Sequence, residues 1–251
     1  MKIAIVVHGR FHAFDLGRAL LVRGHEVTLF TNYPKWAVKR FGFPPNRVRS
    51  FWPHGVASKF VYRFSQFTKW TNPDRWIHPV FGRWVAAELA KESWDVVHLW
   101  SGVSEEALQV VSGERTARFM MRGSAHIRAQ GRILEEEERR TGCRMDRPGP
   151  WITAREQREY ALVDRIVVLS SFAYRTFIEE GFDSTKLRLL PLGTNTKAFR
   201  PGPEVIEARC RRILSGEPLR VLYVGTLSFQ KGMQDAAAVL RRLNGNRFRP
   251  L

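Results

Sequence analysis

Cysteine is nearly absent: 251 residues hold two, Cys143 and Cys210. That excludes a disulfide framework and a cysteine-rich metal site. Long apolar runs are missing too. No segment approaches the roughly 20 consecutive apolar residues of a membrane-spanning helix. The apolar run in the N-terminal MKIAIVVHGR is too short for a signal peptide. A cytoplasmic protein is expected, with a peripheral place on a membrane surface left open. Acids are scarce, 24 against 41 lysines and arginines, for a net charge of +17. The excess favours anionic partners, whether nucleotide phosphates, nucleic acid or anionic lipid, and does not choose among them. Neither common phosphate motif is complete. The loop after the first apolar run has no G-x-G-x-x-G, and no G-x-x-x-x-G-K-[ST] occurs.

What is present is regular alternation. Lys2–Val7 is a near-continuous apolar run, as in a parallel strand covered on both faces. The loop His8-Gly9-Arg10-Phe11-His12 follows. A helix is expected over 14–23, closed by Gly24, and a second strand over 26–31. Further strands are expected at 95–100, 118–122, 165–169 and 186–190. Helices are expected at about 80–91, 104–111 (capped by Ser104), 127–140, 151–161 and 171–180 (capped by Ser171). The pattern is α/β, a parallel sheet with helices on both faces. Asp146–Pro150 breaks it, and Phe199-Arg200-Pro201-Gly202-Pro203 reads as a linker. His8, His12 and His98 stand near strand ends. Their spacing is not that of metal ligands, and no metal is expected.

The stretch 35–84 departs from this pattern. It interleaves thirteen aromatics, among them Trp52, Phe60, Phe64, Phe67 and Trp70, with Lys59, Arg63, Lys69 and other bases, and Asp74 is its one acid. Three readings fit. The aromatics pack helices onto the sheet while the bases face water. Or the stretch forms an interfacial surface for anionic lipid. Or it stacks single-stranded bases, a partner made less expected by the lack of an RNP motif.

Residues 219–233, LRVLYVGTLSFQKGM, open a new unit. Arg220–Val224 reads as a buried strand closed by Gly225, and a polar turn with Lys231-Gly232 leads into a helix. A strand, a glycine turn and a helix N-terminus form a phosphate cradle in open α/β sheets, to which Lys231 adds a full charge. The bland alternative is an ordinary β–α turn with a solvated lysine. Asn244–Leu251 look like the approach to another strand.

Five segments occur in order: Met121-Arg122-Gly123-Ser124-Ala125-His126; Tyr160–Phe172; Leu189–Asn195 with Phe199-Arg200-Pro201; Val224-Gly225-Thr226-Leu227; and Lys231-Gly232. This ordered set resembles the retaining, nucleotide-sugar-dependent glycosyltransferases of family 4. The resemblance implies a GT-B fold of two Rossmann-like domains, with donor mainly on the second, acceptor mainly on the first, and a cleft between. It implies an acceptor-side domain over 1–198, a linker and helix over 199–218, and a truncated start of the donor domain over 219–251.

Residue by residue, the resemblance implies that His126 faces the donor sugar as a neutral imidazole, with Arg122 and Ser124 as loop neighbours. Lys231, with Gly225 and Thr226, would hold the donor diphosphate. Gly9, Arg10 and His12 would approach the acceptor and the sugar. Relatives commonly carry an arginine where this chain has Thr226, which implies weaker or differently arranged diphosphate binding. The family's Glu-x₇-Glu pair would lie beyond residue 251. The implied activity is sugar transfer from a nucleotide diphosphate to an acceptor hydroxyl with retention, in glycan biosynthesis, impaired by the missing donor half unless a partner chain supplies it. No cofactor is implied; the nucleotide sugar is substrate. The rival is a non-catalytic Rossmann-like module that binds an anionic membrane or a partner.

Overall fold

The computed structural model describes residues 1–68, 72–194, 196–218 and 220–244. Lys69, Trp70, Asn195, Leu219 and residues 245–251, which figure in the expectations above, lie outside them. By contacts the chain divides into two compact units: Met1–Ile133 with Arg147–Pro191, and Leu134–Asp146 with Leu192–Leu251.

In the first unit, strands β1 (Lys2–Val7), β2 (Glu26–Thr31), β3 (Val48–Ser50), β4 (Val96–Trp100), β5 (Ala117–Arg122), β6 (Arg165–Val168) and β7 (Leu187–Leu189) form one sheet. Their order is β3-β2-β1-β4-β5-β6-β7, with every pair parallel. The register sets Ile5 beside Leu29 and His98. The chain winds outward from β1 through β2 to β3, then returns to β4 on the other side of β1. The β1/β4 junction is therefore the switch point of a doubly wound Rossmann-like sheet, where loops at the carboxyl ends of strands diverge.

Helices cover both faces. The described helices are α1 (Ala13–Val22), α2 (Lys35–Lys39), α3 (Trp52–Thr68), α4 (Asp74–Leu89), α5 (Glu105–Val110), α6 (Ile127–Thr141), α7 (Pro150–Leu162), α8 (Ser171–Glu179), α9 (Pro203–Leu214) and α10 (Met233–Asn244). Side chains alternate across the pleat, so β1 feeds two cores. Ile3, Ile5 and Val7 pack with Phe14 of α1 and Val38 of α2. Ala4 and Val6 pack with Phe81 and Val85 of α4, Ala107 of α5 and Phe177 of α8. Fully burying each such Val or Phe contributes about 1.5–3 kcal/mol.

Several expectations need correction. Helix α4 starts at Asp74, well before Val80, and runs through Pro79. Ile77, Phe81, Val85 and Leu89 recur every four residues and are all buried, and that burial outweighs the hydrogen bond lost at proline. Ser104 does not cap α5 with its side chain. Its hydroxyl donates to the Trp100 carbonyl at 2.5 Å instead. The side-chain cap of α8 is Ser170, one residue before Ser171, and its hydroxyl accepts from the Ala173 N–H at 3.1 Å. The short β3 went unanticipated, because three residues with an arginine between a valine and a serine carry no strand signal.

In the second unit the expected strand at 220–224 does not form; these residues belong to no regular element and have no ladder partners among the described residues. A strand exists by pairing, and no neighbour is offered to it among the described residues. Val221, Leu222 and Val224 are accordingly exposed. The expected helix after Lys231 is present as α10. Arg140 holds Asp235 of α10 through two bonds of 2.8 and 2.9 Å.

Candidate functional site

In a parallel sheet, the loops after β1, β4 and β5 emerge at one end, and they carry most of the residues singled out from the sequence. The first is 8–12. Its sharp turn rests on Gly9, with φ +99°, a backbone state that disfavours any side chain. Gly9 N–H donates to Asn32 Oδ1 at 2.7 Å, and its carbonyl accepts from Thr31 Oγ1 at 2.9 Å. Arg10 is exposed, with its guanidinium 4.3 Å from the Phe41 ring centre. His12 packs its ring 5.1 Å from Trp100, and burial lowers its pKa against the opposing pull of Asp15.

The three histidines near strand ends do not form one cluster. His12 and His98 both pack on Trp100, each 5.1 Å away. His8 lies among His54, His78 and Phe81, at 5.4, 5.6 and 5.3 Å. Burial first, then mutual repulsion with His78 and His54, pushes His8 down to about 3. Among the described residues, no group of three His, Cys, Asp or Glu side chains is arranged to hold a metal ion.

The loop after β5 brings Arg122, Ser124 and His126 together. Gln130, one turn into α6, gathers two of them: its Oε1 accepts from Arg122 Nη2 at 2.7 Å and from Ser124 Oγ at 3.2 Å. His126 is buried against Phe177 and Tyr160, with ring centres 4.9 and 5.2 Å away. Its backbone N–H donates to Thr176 Oγ1 at 3.0 Å, which pins the loop to α8. Its Nδ1 accepts from the Arg128 N–H at 3.3 Å, so the tautomer assigned from that bond carries its proton on Nε2. Burial pushes the imidazole down to about 4. The Glu180 carboxylate, 4.0 Å from Nδ1, opposes this, and the surrounding arginines reinforce it. Near neutral pH His126 is therefore an uncharged donor, able to bond a hydroxyl without bringing a positive charge.

Sequence reasoning missed the framework behind these loops. Helix α7 buries Arg155, Glu156 and Glu159. Glu159 takes the place expected of the Ser104 hydroxyl. Its Oε1 accepts from the N–H groups of Ser104 and Glu105 at 2.8 and 3.1 Å, and Oε2 from Gly102 N–H at 2.6 Å. Arg155 Nε donates to the Gly102 carbonyl at 2.8 Å, and its Nη atoms pair with Glu105 and Glu106. Glu156 lies 3.0 Å from Arg122 Nε and accepts from Tyr160 OH at 2.7 Å. One helix thus fixes both the loop after β4 and the end of β5. The available signal was the spacing, since 155 and 159, and 156 and 160, each share a helix face.

Lys231, Thr226 and Gly225 belong to the second unit. Lys231 ends a 3₁₀ turn, Phe229–Lys231, and is exposed. Gly232 then takes a left-handed φ of +71° before α10 begins at Met233. The Thr226 carbonyl accepts from Tyr223 OH at 3.0 Å.

A doubly wound seven-stranded parallel sheet with helices on both faces defines a Rossmann-like domain of the GT-B type. A model of the family described as Glycosyltransferase Family 4 matches residues 10–198. The chain belongs to that family. No curated protein matches the sequence. Among solved structures it is similar to Anabaena Alr3699/HepE in complex with UDP and glucose, at 12% identity and a TM-score of 0.54, covering 96% of this chain and 58% of that one. It is also similar to sucrose-phosphate synthase from Thermosynechococcus elongatus, at 18% identity and a TM-score of 0.53, covering 97% of this chain and 60% of that one. UDP-GlcNAc 2-epimerase from Methanocaldococcus jannaschii aligns at 15% identity and a TM-score of 0.45, covering 75% of this chain and 45% of that one. The chain thus spans less than two thirds of the structures it matches.

Proposed function

We propose that this chain serves glycosyl transfer from a nucleotide-diphosphate sugar to an acceptor hydroxyl, with retention at the anomeric carbon. The observation that carries the reading is the His126 loop of a family 4 domain: a buried, uncharged imidazole at the carboxyl end of β5, its Nδ1 occupied and its Nε2 protonated. Such a group orients a sugar hydroxyl by donating to it. The departing diphosphate then needs fixed positive charge, which is the large electrostatic contribution in such chemistry. Lys231, exposed ahead of the α10 N-terminus, is assigned that role, with the backbone at Gly225 and Thr226 beside the phosphates. Gly9, Arg10 and His12 are assigned to the acceptor and sugar side, and Arg122 and Ser124 support the His126 loop. No metal or other cofactor enters this scheme.

Calorimetric titration of UDP, GDP and their sugars into the chain tests the reading. One of the two nucleotides should bind. Lys231→Ala should weaken it about tenfold or more, as loss of a charge-assisted contact does. His126→Ala should weaken the nucleotide sugar while leaving the free nucleotide nearly unchanged. Equal binding by wild type and both variants, or none at all, would remove the site from consideration.

A further inference from the structure

Helix α3 is inside out. Its buried and half-buried positions are mostly polar: His54, Ser58, Tyr62 and Ser65 lie on one side, with Gly55 and Val61. His54 packs there against His8 and bonds the Ile77 carbonyl at 3.0 Å, and Tyr62 donates to Asp74 at 2.6 Å. Its exposed face is the apolar one. Trp52, Val56, Phe60, Phe64 and Phe67 fall within an arc of about 120° at 100° per residue. Phe60 is 70% exposed and Phe67 77%, where an ordinary surface helix would bury them. Lys59 and Arg63 lie exposed beside and within the same arc.

We propose that this face of α3 is a docking surface for an anionic lipid bilayer, with the helix lying flat in the interface. Charge selects the occupant. From Lys35 to Trp84 the only acid is Asp74, which is half-buried and accepts from Tyr62 OH. The exposed face of α3 therefore presents cations and aromatic rings with no acid in the helix itself. That combination suits a surface of anionic headgroups over hydrocarbon: rings enter the acyl boundary while Lys and Arg stay at headgroup level. Among the described residues no helix is long and apolar enough to cross a membrane, so the contact is with one leaflet. The inference stands apart from the transfer reading, because none of these residues is assigned to donor or acceptor.

Co-sedimentation of the full chain with vesicles tests it, using phosphatidylcholine alone or with about 30% phosphatidylglycerol, a content high enough to set up a negative surface potential. Partitioning should be at least about tenfold stronger on the anionic vesicles and should weaken as salt rises. Lys59→Glu/Arg63→Glu should abolish the preference for anionic lipid. Phe60→Ser/Phe64→Ser should lower partitioning about tenfold on both vesicles. All four positions are exposed, so the circular dichroism and Tm of both variants should match wild type. Indifference to lipid charge would overturn the proposal. So would a concentration-dependent dimer that the phenylalanine variants dissociate, or an oligonucleotide that displaces the chain from vesicles at equal charge concentration.

Discussion

Glu159 shows how much a single buried carboxyl can organise. It is fully buried, yet three backbone N–H groups and Arg155 point at it. Burial and the neighbouring Glu156 push its carboxyl up to about 8, while Arg155 and the N–H donors pull it down. Glu159→Ala leaves three N–H groups unpaired and strips one partner from buried Arg155. It should cost about 3 kcal/mol or more in urea unfolding. Glu159→Gln keeps an acceptor oxygen and should cost clearly less. Equal losses would mean that the packing and the acceptor oxygen that glutamine keeps are not what holds the loop. The 155/159 and 156/160 spacing was the one signal for this in the sequence, and it is weak because Ala-Arg-Glu-Gln-Arg-Glu reads as a solvated helix face. The candidate residues Arg122, Ser124 and His126 were legible only through the ordered motifs around them. Their common partner Gln130 and the Glu156 contact depend on tertiary placement.

At the scale of elements, strands β1, β2, β4, β5 and β6 were legible because a strand covered on both faces must be apolar almost throughout. The same rule misled at 220–224, where the apolar run is present but no partner strand among the described residues pairs with it. Helix α3 could not be oriented from its sequence, since its aromatic stripe predicts burial and the structure gives exposure. Its seat is set instead by a close backbone approach at Gly55. A β-carbon there would stand 2.1 Å from the Asn32 carbonyl oxygen, which is backbone and cannot rotate away. Gly55→Ala should therefore push the first turn of α3 off the loop after β2 and cost about 1–3 kcal/mol by thermal or urea unfolding. Gly24→Ala serves as the control with open space around the new atom, although its φ of +80° adds backbone strain of its own. A Gly55→Ala protein as stable as wild type would mean that the approach is not tight in solution.

Six histidines of the first unit are disfavoured as cations by burial, and this sets its response to acid. His8, His12, His54, His78, His98 and His126 all have pKa values lowered mainly by burial, His98 and His126 to about 4. In the unfolded chain they titrate near 6.5. Below that pH the unfolded state binds more protons than the folded one, so stability falls as pH drops through 6.5 toward 4. Fully buried His98 alone accounts for up to about 3 kcal/mol over that range. Glu156 and Glu159 work in the opposite sense. Their carboxyls are raised by burial, so the folded state holds protons that the unfolded state releases above about 4.5. Two carboxyls against six imidazoles leave the histidines dominant between pH 4.5 and 6.5. The midpoint of urea unfolding should therefore climb across that window and, once the histidines no longer differ between the two states, decline modestly above pH 7 as the raised Glu159 carboxyl gives up its proton. His98→Asn should shallow the climb by about one proton's worth of slope, whatever it does to the stability at pH 7.5. A midpoint independent of pH from 4.5 to 6.5 would show that these imidazoles are hydrated and charged in the folded protein, and that the neutral His126 on which the proposed chemistry depends is not maintained.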